Sequence, residues 1–226
     1  MPSLRPWLFA LILLAPVAAL ADTPAISFTS TNGAFLDLRT RMIGWQFSLS
    51  DPVNVTSLGW YDQGGNGLNR AHEVGIWQTD TKILVAQAVV PQGLEAPLDG
   101  QFRWAGLSLP VQLQPGISYS IAGLDIGSGG DAHVWDTQIG CCTAHVSGFS
   151  VHALVQLTAG TALGGETNGF GFPTGLIGDG RAALMGPNFT VSAVPEPQTY
   201  IMMLAGLLFI GGLARSRRAD PTNPVP

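Results

Sequence analysis

The chain has 226 residues, a formal net charge of −5, only 11% charged residues, 29 glycines and two cysteines. That length buries one ordinary core without a disulfide framework, and sparse charge with abundant glycine disfavours long solvated helices and favours short strands joined by tight turns. Between Asp22 and Pro197 six basic residues stand against fourteen acidic ones, a net of −8, so the basic face that phosphate backbones require is missing and nucleic acid is excluded as a partner.

Residues 1–21 read as a secretory signal peptide. Arg5 supplies the positive n-region, Trp7 to Ala19 is almost wholly apolar, and Ala19-Leu20-Ala21 offers the small-x-small pattern that signal peptidase cuts after passage through the general secretion machinery. Asp22 then becomes the mature N-terminus.

From Met42 onward the apolar residues recur at every second position, the period of a half-buried strand. Trp45, Phe47 and Leu49 alternate with Gln46 and Ser48. Ile117, Tyr119 and Ile121 alternate with Ser118, Ser120 and Ala122, and Phe149, Val151, Ala153, Val155 and Leu157 form a further row. Val53 to Tyr61, Glu73 to Gln78, Ile83 to Val90, Phe102 to Leu109 and Asn188 to Val194 are further strand candidates, each bounded by turn residues. Thr158 to Gly180 is glycine-rich, lacks periodicity and reads as a long loop. Eight or so short strands with no helical-period run between them make residues 22–193 an all-β domain, an antiparallel β-sandwich or jelly-roll.

Within that domain "DQGGNGLNRAHE", Asp62 to Glu73, is the most suggestive stretch. Asp62, Asn66, Gly67 and Glu73 fall on positions of a calcium loop, whereas Gly64 occupies a ligand position without a side-chain oxygen, and the flanks read as strands and not as helices. Two readings stand: a strand connection whose glycines supply positive φ, or a calcium site using Asp62, Asn66, Glu73 and backbone carbonyls. Trp60 and Trp77 flank the loop and are candidates for an exposed platform that stacks on sugar rings, while Trp45 and Trp104 fit core rows. His145 follows Cys142 by three, but no second metal-binding pair accompanies them, and the adjacent Cys141 and Cys142 leave a strained disulfide, an intermolecular bond or free thiols open. Gly-x-Ser-x-Gly is absent and no nucleophile sits beside a base in sequence. The expectation is a protein that is not an enzyme and needs no cofactor beyond that calcium. Glu73 and Asp99 are the carboxylates a glycoside hydrolase reading would use.

Thr199 to Ala214 carries no formal charge, and as a helix it would reach about 24 Å at 1.5 Å per residue, marginal for a hydrocarbon core of about 30 Å. Arg215, Arg217 and Arg218 follow at once and should stay cytoplasmic, placing the body across the membrane. Pro195-Glu196-Pro197 precedes the apolar run and holds the chain extended.

Pro-Glu-Pro, an apolar helix and an arginine cluster in that order resemble the PEP-CTERM sorting signal of exported proteins in exopolysaccharide-producing Gram-negative bacteria. The resemblance covers 194–218, with the motif at 195–197, the transmembrane helix at 199–214 and the basic cluster at 215–218. Residues 219–226 add a polar tail that such signals usually lack. The resemblance implies that an exosortase, a membrane protease of transpeptidase type, handles the chain at or near Pro195-Glu196-Pro197, and that the tail is an address and temporary anchor. "VNVTSLGWYDQGGNGLNRAHEVGIW", "APLDGQFRWAGLSLPVQLQPGISYSIAG" and "GPNFTV" resemble a β-rich extracellular module of unassigned function found in such proteins. The expected function is a structural or adhesive protein of the cell envelope, cell surface or extracellular matrix, with exopolysaccharide as a candidate partner. The alternatives are a secreted carbohydrate-active enzyme and a calcium-dependent carbohydrate-binding module.

Overall fold

A computed structural model describes residues 22–136, 144–158, 161–177, 180–194, 204, 206–208 and 210. The expectations that fall on Ala19, Ala21, Cys141, Cys142, Pro195, Glu196, Pro197, Arg215, Arg217 and Arg218 lie outside the described residues.

The body is mostly β. Its eight described strands of five residues or more are β1 (Arg41–Leu49), β2 (Val53–Tyr61), β3 (His72–Gln78), β4 (Leu84–Val90), β5 (Phe102–Leu113), β6 (Tyr119–Asp125), β7 (Ala162–Glu166) and β8 (Pro187–Ala193). One sheet runs Thr23–Pro24, β8, β2, β5, Leu98–Asp99. A second runs Leu176–Ile177, β7, β1, β6, β3, β4, with Val155–Leu157 also paired to β1, and two smaller sheets accompany these two main ones. Every pairing in these two sheets is antiparallel.

The two sheets face each other across an aromatic core. Trp45 and Phe47 of β1 stack on Phe189 of β8 with ring centroids 5.6 Å and 4.7 Å apart, and Phe47 stacks on Tyr119 of β6 at 5.5 Å. Period-two alternation explains this layer: Trp45, Phe47 and Leu49 are all buried while Gln46 and Ser48 are partly exposed. Offset aromatic pairs of this kind add about 0.5–1.5 kcal/mol each beyond the area they bury.

Two expectations are corrected. The row Phe149 to Leu157 is not one strand: it breaks into Ser150–Val151 and Val155–Leu157, because a turn closed by Val155 N–H to the His152 carbonyl (2.9 Å) intervenes and leaves Ala153 exposed. Conversely, Thr158 to Gly180 is not one long loop. It supplies β7, which pairs Leu163 to Glu166 with Arg41 to Gly44, and then the strand Leu176–Ile177. Glycine permits that pairing: a Cβ on Gly175 would sit 2.0 Å from the Gly164 carbonyl oxygen. The absence of side chains that hid the strand from a periodicity reading is what lets the backbones approach.

The same segment carries Phe170 and Phe172 over the outer face of the second sheet, where they pack with Met42, Trp77, Ala122 and Leu163. Central strands β1 and β6 are therefore covered on both faces.

Candidate functional site

The connection from β2 to β3 is built around a buried ion pair. Gly64, Gly65 and Gly67 adopt φ of 79°, 67° and 104°, left-handed values that glycine reaches without strain. The turn they form aims carbonyls inward. Arg103 of β5 enters from the neighbouring strand: its Nε donates to Asp62 Oδ2 at 2.6 Å, one Nη to the Ala96 carbonyl at 2.8 Å and the other to the Gly65 carbonyl at 3.1 Å. Asp62 also accepts from the Gly67 N–H at 2.9 Å. Both side chains are buried, 5% and 1% exposed.

Of the calcium candidates Asp62, Asn66 and Glu73, Asp62 is the one that takes part in this arrangement. A carboxylate and carbonyls do converge on one positive charge, but the charge is the Arg103 guanidinium. Asn66 is exposed, and Glu73 lies on β3 paired with Val89 of β4. Among the described residues no three His, Cys, Asp or Glu side chains gather as a metal would need.

The platform expected of Trp60 and Trp77 is corrected. They are 0% and 3% exposed and form no platform. Trp60 lies flat on the His72 ring, centroids 3.9 Å apart and 7° from parallel, while Trp77 is covered by Phe170 and Phe172 at 5.2 Å and 6.2 Å. The covering phenylalanines come from the segment that lacked a periodicity signal.

Histidines that carried no partner in sequence find carboxylates in space. His72 Nε2 lies 2.8 Å from Asp131 Oδ2, and its Nδ1 lies 2.9 Å from the Leu124 carbonyl. Asp131 in turn accepts from the Asn69 and Arg70 amides at 2.8 Å and 3.1 Å. His133 Nδ1 lies 2.9 Å from Asp125 Oδ2, with both residues buried. The segment between β6 and Val134 is thus fastened at both ends by Asp–His pairs. Nearby, burial pushes the Tyr61 phenol above its ordinary range; a hydrogen bond with Thr31 opposes the shift and the Asp62 charge adds to it.

A concavity adjoins the second pair. A cleft of about 700 Å³ opens between the 35–39 segment, the start of β1, Trp135 and the segment around Ile177 to Leu184. Phe35, Trp135, Ile43, Ile177 and Leu184 supply apolar wall; Asp37, Arg39, Arg41, His133 and Arg181 supply polar groups. Arg41 Nε is 2.8 Å from Asp37 Oδ2, Arg39 pairs with Glu166, and the Arg181 guanidinium lies 4.3 Å above the Trp135 ring. The pairs Arg39–Glu166 and Arg41–Asp37 are partly or mostly solvated and contribute little to stability, so these charges are retained at small cost in folding energy. None of these cleft residues was singled out by motif, because they come from stretches far apart in the chain.

At the end of the body, β8 leads directly to the tail. β8 lies inside its sheet, between β2 and Thr23–Pro24, with Phe189 and Val191 buried, and its last residue Ala193 is followed after Val194 by Pro195. Thr23 pairs with Val191 and Pro24 with Thr190, so the N-terminal segment and the tail leave the body side by side. Leu204, Leu207, Leu208 and Ile210 lie in helical stretches and are 52–70% exposed. No helix among the described residues is long and apolar enough to cross a membrane.

No curated protein matches the chain. The family model of the PEP-CTERM protein-sorting motif matches residues 193–218. The tail that begins where β8 ends is therefore a PEP-CTERM protein-sorting motif, which implies an exported protein sorted to the cell envelope with an exosortase as the sorting partner.

Proposed function

We propose that the chain is a structural or adhesive protein of the outer cell surface or extracellular matrix of a Gram-negative bacterium, made with a removable leader over residues 1–21 and held by a transmembrane helix at 199–214 until the exosortase acts. In this reading the body is an antiparallel β-sandwich without catalytic activity, and exopolysaccharide is its partner. The observation that carries the reading is the sorting motif at 193–218.

Two features of the body support it. The side chains of Leu204, Leu207, Leu208 and Ile210 remain exposed instead of docking on the β core, as expected of a segment whose apolar medium is lipid. Thr23 pairs with Val191, so a leader removed after Ala21 would be cut beside the point where the tail attaches. A body hung from one end presents its remaining surface outward.

The test is fractionation of cells that express the chain with Pro195-Glu196-Pro197 replaced by alanines. The unaltered protein should reach the outer surface or the medium, and the variant should stay with the membrane. Identical distribution of the two would remove the sorting reading.

A further inference from the structure

The four edges of the two main sheets are not alike. Three end in strands of two residues, Thr23–Pro24, Leu98–Asp99 and Leu176–Ile177, the first carrying a proline and the second an aspartate. Leu98–Asp99 covers β5 only at Phe102 and Arg103, and beyond that β5 is interrupted by the bulge from Leu107 to Pro110. Short strands, bulges, proline and charge are the devices that keep one sheet edge from joining another. The fourth edge, β4, has none of them along most of its length. It runs seven residues from Leu84 to Val90 and, among the described residues, pairs on one side only, with β3. A row of backbone N–H and C=O groups on its other side is left to pair with a strand from elsewhere.

We propose that the free edge of β4 pairs antiparallel with the same edge of a second copy of this chain, joining two bodies through one continuous sheet. The proposal goes beyond the sorting reading and does not rest on it.

The sequence of the strand selects a second copy as the occupant. Val85-Ala86-Gln87-Ala88-Val89 reads the same in both directions, as an interface related by a two-fold axis requires, because there one patch meets itself. With the axis at Gln87, Val85 lies opposite Val89 of the second copy, Ala86 opposite Ala88, and Gln87 opposite Gln87. This register joins even-numbered positions to even-numbered ones. Ala86 and Val90, which are buried against the core with Ala88 partly so, therefore stay on the core face of the joined sheet, and Gln87 and Val89 stay on the outer face. The one register shift against β3 lies between Leu84 and Ala86, so Ala86 to Val90 remain regular.

Charge points the same way. No charged residue lies between Lys82 and Glu95, so two bodies of net charge −8 can approach along this edge with little repulsion. An antiparallel meeting also directs the Lys82 end of each strand toward the Glu95 end of the other. Ile83, Leu84 and Val89 are 56%, 40% and 52% exposed in the single chain, apolar surface that a second copy would take from water.

A strand of seven residues is about 24 Å long, so the interface is at the small end of the range, below about 1,200 Å². Association is then weak and concentration-dependent, and copies held side by side on one surface reach it through their effective concentration.

The experiment follows sedimentation of the full chain in mild detergent at rising concentration, with amide exchange measured across residues 84–90. The parent should pass from monomer to dimer while those amides become protected. Gln87→Lys and Gln87→Glu each set like charges opposite one another at the axis and should weaken association about tenfold or more. An equimolar mixture of the two variants should restore it, since opposite charges then meet. Gln87 is exposed and stands opposite Gly75 of β3, so both variants should keep the parent's melting temperature. A parent that stays monomeric overturns the proposal and leaves the edge to a different chain. Dimers equally strong in the parent and both variants overturn it in favour of contact through the tail or a shared micelle, and a mixture that fails to recover association overturns the pairing at Gln87. Because association is measured on purified chain, a failure of sorting and a failure of this pairing are read separately.

Discussion

The core between the sheets and the helical stretch of the tail are made of the same kinds of residue and meet opposite fates. Trp45, Phe47 and Phe189 are fully buried because strands on two sheets present them to one another at a spacing that stacks rings, whereas Leu204, Leu207, Leu208 and Ile210 stay more than half exposed. The difference teaches that burial follows from partners supplied by topology, and not from hydrophobicity alone. Among the described residues the core closes without those four tail side chains.

The sharpest way to break that contrast is to delete a ring from the core. Trp45→Ala or Phe189→Ala should cost about 3–5 kcal/mol, a large part of the stability of an ordinary domain, measured as a drop in denaturation midpoint. The same measurement on Leu207→Ala should move stability by less than about 0.5 kcal/mol, and a comparable loss from both would mean that the tail docks on the body.

Next in size is the ion pair. Asp62→Ala strands a buried guanidinium and should destabilise by about 3–5 kcal/mol, while replacing both partners, Asp62→Leu with Arg103→Met, should recover most of that loss. Calcium should leave the melting temperature of the unaltered protein unchanged, since Arg103 already occupies the focus of the Asp62, Gly65 and Ala96 oxygens. A rise in melting temperature with calcium would restore the metal reading of the loop.

The smallest effect concerns pH. Burial holds the His152 imidazole below its ordinary value. The unfolded chain therefore takes up this proton first, so stability should be full above the ordinary histidine pKa of about 6.5 and fall slightly as pH drops from there toward the folded value. His152→Gln should flatten that slope in thermal unfolding followed across this range; an unchanged slope would assign it to other groups.

Many strand positions were legible in the alternation of apolar residues: Val53–Tyr61 matches to the residue, and β3, β4 and β8 differ by one residue at an end or by a one-residue shift, whereas the alternating row Phe149 to Leu157 is broken by a turn. β5 runs on to Leu113, past the expected end at Leu109, because Leu107 to Pro110 bulge out between the pairs Ser57–Gly106 and Val55–Val111 and pairing then resumes. β7 was illegible because its glycines carry no periodicity, and the burial of Trp77 followed from that omission, since Phe170 and Phe172 lie in the same glycine-rich stretch. The positive φ of Gly64, Gly65 and Gly67 was legible in the Asp62 loop, as the turn reading expects; the guanidinium that Asp62 meets was not legible, for nothing local to Asp62 announces a side chain from residue 103. The Asp–His pairs hid for a similar reason: His72 meets Asp131 across 59 positions, a separation that only sheet topology closes. The sorting motif, by contrast, is one contiguous stretch and was legible as such.

The most direct test of the central claim is the intact mass of the protein recovered from the outer surface of the cell that makes it. The account predicts a chain that begins at Asp22 and has lost everything beyond about Pro197. A surface protein whose mass extends through Arg218 to Pro226 would contradict it and make the tail a permanent anchor.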